Sequence, residues 1–426
     1  MNEFLIGLGL FILALLGTPL FIIIAAIALL AFHSAGIDSS ATIIELYRMA
    51  KQPVLLAIPL FTFAGYLLAE SKTPQRLVNL SRALFGWLPG GLAIVALFSC
   101  AIFTAFTGAS GVTIIALGGL LYPIMLKEHY PENFSLGLLT SSGNLGLLFP
   151  PSLPIILYGL VSQVSIDRLF LAGIIPSILM IVLLSLYSYF FHKKNIRIQA
   201  KRVTSAGDIW QATKEAIWEI PLPIIILGGI YGGFFTATEA AAVTAFYVFI
   251  IEVFIYRDIS IGKDLPHVIR QSMILVGGIL VILSAALGLA NYLIDAEIPS
   301  QILIFLQGYI TTKIGFLVIL NIFLLVVGAM MDIFSAIMVV APIIIPIAAK
   351  FGVDPVHLGI IFLANLGIGY STPPVGMNLF IASFRFKQPV LRLYLASVPF
   401  LIILLFSLIL ITYFPDLSLW LVHLWK

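Results

Sequence analysis

Asn144-Leu145-Gly146-Leu147-Leu148-Phe149-Pro150-Pro151-Ser152 lies inside an apolar segment of membrane-helix length, yet it cannot be continuous helix. Each proline lacks the N–H that a helix uses and clashes with the preceding turn, and the residue before a proline is pushed out of helical conformation. The helix breaks there. In a bilayer the freed carbonyls need partners, so a break is tolerated only where it is buried in protein or lines a polar cavity. A second copy lies downstream: Asn365-Leu366-Gly367-Ile368-Gly369-Tyr370-Ser371-Thr372-Pro373-Pro374-Val375-Gly376. Two broken helices in one polytopic chain point to the binding site of a transporter.

Of the 426 residues, 61% are hydrophobic and 10% charged, against about 25% charged in soluble domains. Apolar runs of membrane length recur along the chain and leave room for no soluble domain beyond short loops, so the protein is a multi-pass membrane protein. Residues 1–32 imitate a signal peptide. Their apolar region is about twice the usual length, Glu3 makes the start acidic, and no small-residue cleavage site follows, so they are read as mature structure. The single cysteine, Cys100, excludes an internal disulfide and a cysteine metal cluster. The net charge of +3 contains no basic block suited to nucleic acid.

The fold expected is all-α and polytopic, built as two inverted repeats with two re-entrant hairpins and two broken helices. The first repeat covers residues 1–191, with scaffold helices in 4–70, a hairpin at 90–126, a broken helix at 134–161 and a helix at 169–191. Gly17-Thr18-Pro19 leaves open whether 4–32 is one span or two. A basic amphipathic stretch with Lys72, Arg76 and Arg82 is placed in the membrane interface. Residues 192–219 form a polar linker, and 220–426 the second repeat, with scaffold helices in 220–294, a hairpin at 315–349, a broken helix at 357–384 and a helix at 391–414. Each arm of the first hairpin counts about 15 residues, short of the about 20 that a bilayer requires.

At an offset of 223, Pro123 falls on Pro346, Pro150 and Pro151 on Pro373 and Pro374, and Pro176 on Pro399, the pattern of an internal duplication. Five crossings per half invert the second copy. With the linker in the cytoplasm, 16 of the 22 lysines and arginines fall on the inner side, as the positive-inside rule demands. The first hairpin then enters from the cytoplasm and the second from outside.

Two groups of residues carry the chemistry. The first is the hairpin tip with Gly108, Ser110 and Thr113, facing Ser142, Gly143 and Asn144 at the break. Hydroxyls, an amide and unwound carbonyls offer neutral oxygens suited to a weakly held monovalent cation such as Na⁺. The second groups Asp332 with Ser335, Asn365, Thr372, Gly376 and Asn378. Asp332 has three open roles: cation ligand, proton relay, or N-cap of the second hairpin arm. Small and hydroxylated residues at these places also serve close helix packing. Glu239 reads as a helix N-terminal cap, whereas Glu252, deeper in its span, is harder to dismiss. Half-helix N-termini after Pro151 and Pro374 offer N–H groups to a carboxylate, with Ser110, Ser152 and Asn378 as candidate substrate contacts.

An enzyme reading has one foothold, since Gly108-Ala109-Ser110-Gly111 matches the Gly-x-Ser-Gly text of rhomboid-like intramembrane proteases. Such a serine needs a histidine at membrane depth, and all six histidines fall in loops or at helix ends. An aspartyl protease needs a second acid near Asp332, and none is evident.

The chain resembles the large membrane subunit of the tripartite ATP-independent periplasmic (TRAP) transporters, within the ion-transporter superfamily. The likeness covers nearly the whole chain and rests on Phe106-Thr107-Gly108-Ala109-Ser110-Gly111-Val112-Thr113, on the run from Leu145 through Pro154, and on Leu169-Phe170-Leu171-Ala172-Gly173-Ile174-Ile175-Pro176. Thr236-Ala237-Thr238-Glu239-Ala240, Met331-Asp332 and Thr372-Pro373-Pro374-Val375-Gly376 complete it. At the first tip many relatives read Gly-Ser-Ser-Ala-Ala-Thr, where this chain has Ala109, Gly111 and Val112. The resemblance implies an elevator mechanism coupled to Na⁺, with no other cofactor, one ion near 108–113 and 142–144 and another near Asp332 and 372–376. It further implies a small organic acid as substrate (a C4-dicarboxylate, sialic acid or similar), a periplasmic binding protein that delivers it, a separate small four-helix membrane subunit, and a place in the bacterial inner membrane. A stand-alone organic anion transporter of the same superfamily is the alternative.

Overall fold

The computed structural model describes residues 20–38, 51–195, 206–310 and 312–425, with a few isolated positions before 51. Among them the regular elements are all helical. α1 is Leu20–Ser34, and whether a turn at 17–19 divides residues 4–32 lies outside the described residues. α2 (Pro53–Glu70) is followed by α3 (Thr73–Phe85), then by a hairpin of α4 (Gly91–Thr107) and α5 (Ser110–Lys127). The broken helix consists of α6 (Glu132–Ser142), a 3₁₀ turn at Leu145–Leu148 and α7 (Leu153–Ser162), bent by 44°. α8 (Ile166–Asn195) closes this half.

The linker carries α9 (Ala206–Glu215), and the second half opens with α10 (Pro221–Tyr231), α11 (Ala237–Ile255), α12 (Asp264–Asp295) and α13 (Ile298–Gln307). A hairpin of α14 (Lys313–Met330) and α15 (Ile333–Lys350) follows, then a broken helix of α16 (Pro355–Gly369) and α17 (Met377–Phe386). α18 (Val390–Tyr413) and α19 (Asp416–Leu424) end the chain. Both double prolines are joined by cis peptide bonds.

Local chemistry sets several of these boundaries. Gly90 and Gly108, at φ 74° and 67°, hold the left-handed conformation at the two ends of α4. α11 opens on a capping box, in which Thr236 Oγ1 accepts from Glu239 N at 3.3 Å and the Glu239 carboxylate accepts from Thr236 N at 2.8 Å. Glu239 therefore caps the helix start as its position suggests, as the third residue of the box, with Thr236 at the N-cap itself. Asp354 caps α16, with Pro355 in the first turn, where its missing N–H costs nothing.

The structure departs from the sequence expectation in three places. The first hairpin's arms measure 17 and 18 residues, and those of the second 18 each. The arms of the first hairpin are longer than expected because Ser110 to Thr113, which read as an interruption, are already helical. The polar linker contains α9, and α13 and α19 are further short helices; at 10, 10 and 9 residues they are too short for a search for membrane-length apolar runs to find. α12 starts at Asp264 and, at 32 residues, runs to Asp295, one residue past the expected end of the scaffold helices at 294.

The packing interleaves the halves. α4 lies on the 3₁₀ turn of its own break, and α14 lies on α16. α7 packs on α15, and α17 packs on α5, so each post-break helix rests on the other half's hairpin. Around them α2 packs on α11 and α12, and α12 packs on α1 and α15.

A buried ion cluster fastens α3 to the second half. Arg76 donates to Glu219, to Glu252 at 2.9 Å and to Asp258 at 2.5 Å, and its guanidinium lies 3.8 Å from the Tyr256 ring centre. Burial works against the charge, but Glu252, Asp258 and Glu219 outweigh it and hold the Arg76 pKa above its ordinary range. Glu252 thereby has its explanation: it is one of three carboxylates around a single guanidinium.

Candidate functional site

The first tip consists of two residues. α4 stops at Thr107, Gly108 turns the chain, Ala109 is extended and α5 starts at Ser110. A Cβ on Gly108 would sit 2.7 to 2.9 Å from the Leu153 side chain, so only glycine lets the start of α7 close over the tip. Thr113 Oγ1 lies 2.6 Å from Thr104 Oγ1, and Thr104 donates to the Gly143 carbonyl at 3.1 Å. Thr104 is absent from the sequence-derived set because it reads as an ordinary helix residue, four positions before the turn at Gly108. Ser142 Oγ donates to Leu139 O at 3.1 Å, one turn back in its own helix. Ser152 holds the N-cap position of α7 but makes no capping bond, since its hydroxyl donates back to the Leu147 carbonyl.

One hydrogen-bonded chain crosses between the two breaks. Ser110 Oγ donates to Asn378 Oδ1 at 2.8 Å, Asn378 Nδ2 to Asn144 Oδ1 at 2.7 Å, and Asn144 Nδ2 to Ser371 Oγ at 3.0 Å. All four residues are buried. Ser110 and Asn144 come from the first expected group and Asn378 from the second, so the structure brings members of both together. Ser371 joins them without a sequence signal beyond its place beside the double proline. Asn378 N also donates to the Tyr370 carbonyl at 3.0 Å, which docks the start of α17 on the break.

At the second tip Asp332 is the N-cap of α15. Its Oδ1 accepts from Ser335 N at 2.9 Å, and its Oδ2 from Ser335 Oγ. Ile333 N donates to the Tyr370 hydroxyl, and Gly376 N to the Ala329 carbonyl at 3.0 Å, so tip and break are tied directly. Thr372 Oγ1 is turned back to Ile368 O at 2.8 Å. Asn365 faces elsewhere: its Nδ2 donates to Asn321 Oδ1 at 2.7 Å and to Ile361 O at 2.8 Å. Asn365 Oδ1 is buried with no hydrogen-bond partner, which leaves one acceptor open to a ligand. No hydrogen bond joins Asn365 to Asp332 or Thr372 among the described residues.

Neutral oxygens dominate this region, with Asp332 as the carboxylate at its edge. Among the described residues no three His, Cys, Asp or Glu side chains converge as a metal site. Hydroxyl, amide and carbonyl oxygens without clustered carboxylates suit a monovalent ion better than Ca²⁺ or Mg²⁺, which prefer carboxylate ligands. The N-termini of α7 and α17 meet the same region and offer positive dipole ends to an anion.

Residues 8–417 match the family described as tripartite ATP-independent periplasmic transporter, DctM component. The chain is 36% identical over 394 residues to the C4-dicarboxylate TRAP transporter large permease protein DctM of Pseudomonas aeruginosa, covering 92% of this chain and 91% of that one. It is 38% identical over 361 residues to the isethionate TRAP transporter permease protein DctMQ of Oleidesulfovibrio alaskensis; the match covers 85% of this chain and 57% of that longer relative. The ectoine/5-hydroxyectoine TRAP transporter large permease protein UehC of Ruegeria pomeroyi is 32% identical over 419 residues, 98% of this chain and 97% of its own. In fold the chain is similar to the crystal structure of the Alcanivorax borkumensis YdaH transporter, with a TM-score of 0.63 at 14% identity over 91% of this chain and 88% of that one. The chain belongs to the DctM family, the large permease component of TRAP transporters.

Proposed function

We propose that this large permease couples inward movement of Na⁺ to uptake of a small organic acid. The protein is a multi-pass protein of the bacterial inner membrane and a transporter subunit, not an enzyme. The observation that carries the coupling proposal is the Ser110–Asn378–Asn144–Ser371 chain, which joins both broken helices in one buried polar patch. A patch of neutral oxygens holds Na⁺ weakly enough to release it, and helix N-termini beside it favour an anion. Binding of one then stabilises the other.

The first ion is assigned to Gly108, Ser110, Thr113, Ser142, Gly143 and Asn144, and the second to Asp332, Ser335, Asn365, Thr372 and Gly376. The substrate is assigned to Ser110, Ser152 and Asn378 and the adjoining N–H groups. Relatives named for a C4-dicarboxylate, isethionate and ectoine all handle compounds with a carboxylate or sulfonate, which supports an acid here. In this reading the hairpins and broken helices form a transport domain that moves as an elevator against the other helices, and the halves are inverted repeats with the linker in the cytoplasm. A separate small membrane subunit and a periplasmic binding protein complete the system.

The test is uptake into sealed proteoliposomes that hold this chain with its small subunit and binding protein. Accumulation should require an imposed inward Na⁺ gradient. Uptake indifferent to that gradient sinks the coupling, and uptake without the binding protein sinks the three-part assembly.

A further inference from the structure

We propose that the cavity between α3 and α9 holds the phosphoethanolamine headgroup of a membrane phospholipid. Its volume is about 460 Å³, within the range of about 300–1,000 Å³ typical of small-ligand sites. Asn79 and Arg82 of α3, Glu128 after α5, and Asp208, Gln211 and Glu215 of α9 line it. None of them belongs to the polar patch at the breaks.

The charges match a zwitterion. Arg82 Nη2 lies 3.7 Å from Glu128 Oε1, beyond hydrogen-bonding distance, and is buried without a hydrogen-bond partner. A buried donor left unpaired is costly, and a phosphate oxygen would satisfy it with a charge-assisted bond. The carboxylates of Glu128 and Glu215 line the cavity together with Arg82, so a phosphate alone is not the best fit; a ligand that also carries an ammonium group is. Glu215 is held for that role by Asn79 Nδ2 and Gln211 Nε2, each at 3.3 Å.

The surroundings say that the ligand is a lipid. Leu84 and Trp87 at the end of α3, and Ile209 and Trp210 on α9, are exposed and stand next in sequence to the lining residues Ala83, Gly86, Asp208 and Gln211. Tryptophan on amphipathic helices with an apolar outer face sits at headgroup depth. A headgroup tethered to acyl chains at that level reaches the cavity from the side, with its chains along these apolar residues.

Thermal unfolding of the purified protein in phosphatidylcholine nanodiscs tests this, with phosphatidylethanolamine or phosphatidylglycerol added. Phosphatidylethanolamine should raise the unfolding temperature by several degrees over both other compositions, since choline cannot donate hydrogen bonds and glycerol brings no cation. Arg82→Gln and Glu128→Gln should each remove at least half of the rise. Gln211→Phe fills the mouth without touching an ion pair; it should abolish the rise and keeps the test decisive if the charge variants fold poorly. Equal unfolding temperatures in all compositions, or a rise that survives Gln211→Phe, overturns the proposal. A rise of the same size with soluble glycerophosphoethanolamine overturns the lipid assignment.

Discussion

Asn378 Nδ2 donates to Asn144 Oδ1 over 2.7 Å although 234 positions separate the two in sequence. Asn144 precedes the first proline pair and Asn378 follows the second, so the halves contribute opposite sides of their breaks to one contact. Removing either amide leaves buried polar atoms unpaired, at a cost of about 1–3 kcal/mol. Asn378→Ala should therefore slow Na⁺-driven uptake by roughly tenfold, the equivalent of about 1.4 kcal/mol, and Asn144→Ala should do the same. Because they share one network, the double variant should be little worse than either single one. Additive losses would show that the two asparagines act separately.

Asp332 is a helix cap in this structure, and a separate role in ion binding is testable because caps tolerate substitution. Asp332→Ala should lose about 0.5–2 kcal/mol of stability, whereas Asp332→Asn keeps a capping oxygen and should unfold near the temperature of the unchanged protein. If the carboxylate also serves Na⁺, both variants should raise the Na⁺ concentration for half-maximal uptake at least threefold. A normal Na⁺ response in Asp332→Asn would leave the cap as its whole role.

What the sequence makes legible depends on what each residue acts on. Pro150-Pro151 and Pro373-Pro374 act on their own backbone, so both breaks are readable at the residue, as are the turn at Gly108 and the cap at Glu239. Asp332 is readable as a candidate cap for the same reason. The Asn378–Asn144 and Arg76–Glu252 contacts depend on how the halves dock, which no local pattern encodes. Arg76 reads as one more basic residue in an interfacial stretch, yet it is buried among three carboxylates, Glu219 from the linker and Glu252 and Asp258 from the second half. Asn365 has the opposite history: it matches Asn144 in the duplicated pattern, but its side chain turns to Asn321.

Close backbone approach supports the second tip. A Cβ on Gly328 would lie 2.8 Å from Leu366 Cα and 3.1 Å from Leu366 O, backbone atoms that cannot swing aside. Gly328→Ala should destabilise by about 1–3 kcal/mol, as overpacking does, and lower uptake by spreading α14 from α16. Gly278, in α12, has nothing within 4 Å of the same added atom. Gly278→Ala should be neutral or stabilising by about 0.4–1 kcal/mol. Thermal unfolding of the two variants side by side checks the contrast, and similar temperatures would show that the α14–α16 contact gives way easily.

Arg76 offers the largest single effect. Its side chain is 10% exposed, and those of Glu219, Glu252 and Asp258 are 3%, 0% and 6% exposed. Removing one partner of a buried pair costs about 3–5 kcal/mol, because the remaining charge is left uncompensated. Arg76→Gln leaves three such charges and should unfold well below the unchanged protein. Glu252→Gln removes one carboxylate while Arg76 keeps two others, so it should cost less. In Arg76→Gln, adding Glu252→Gln should restore part of the loss, since it removes a carboxylate that has lost its counter-ion. Unfolding temperatures of the two single variants and the double variant provide the measurement. A double variant no more stable than Arg76→Gln would mean that the guanidinium holds α3 by its packing on the Tyr256 ring and not by charge.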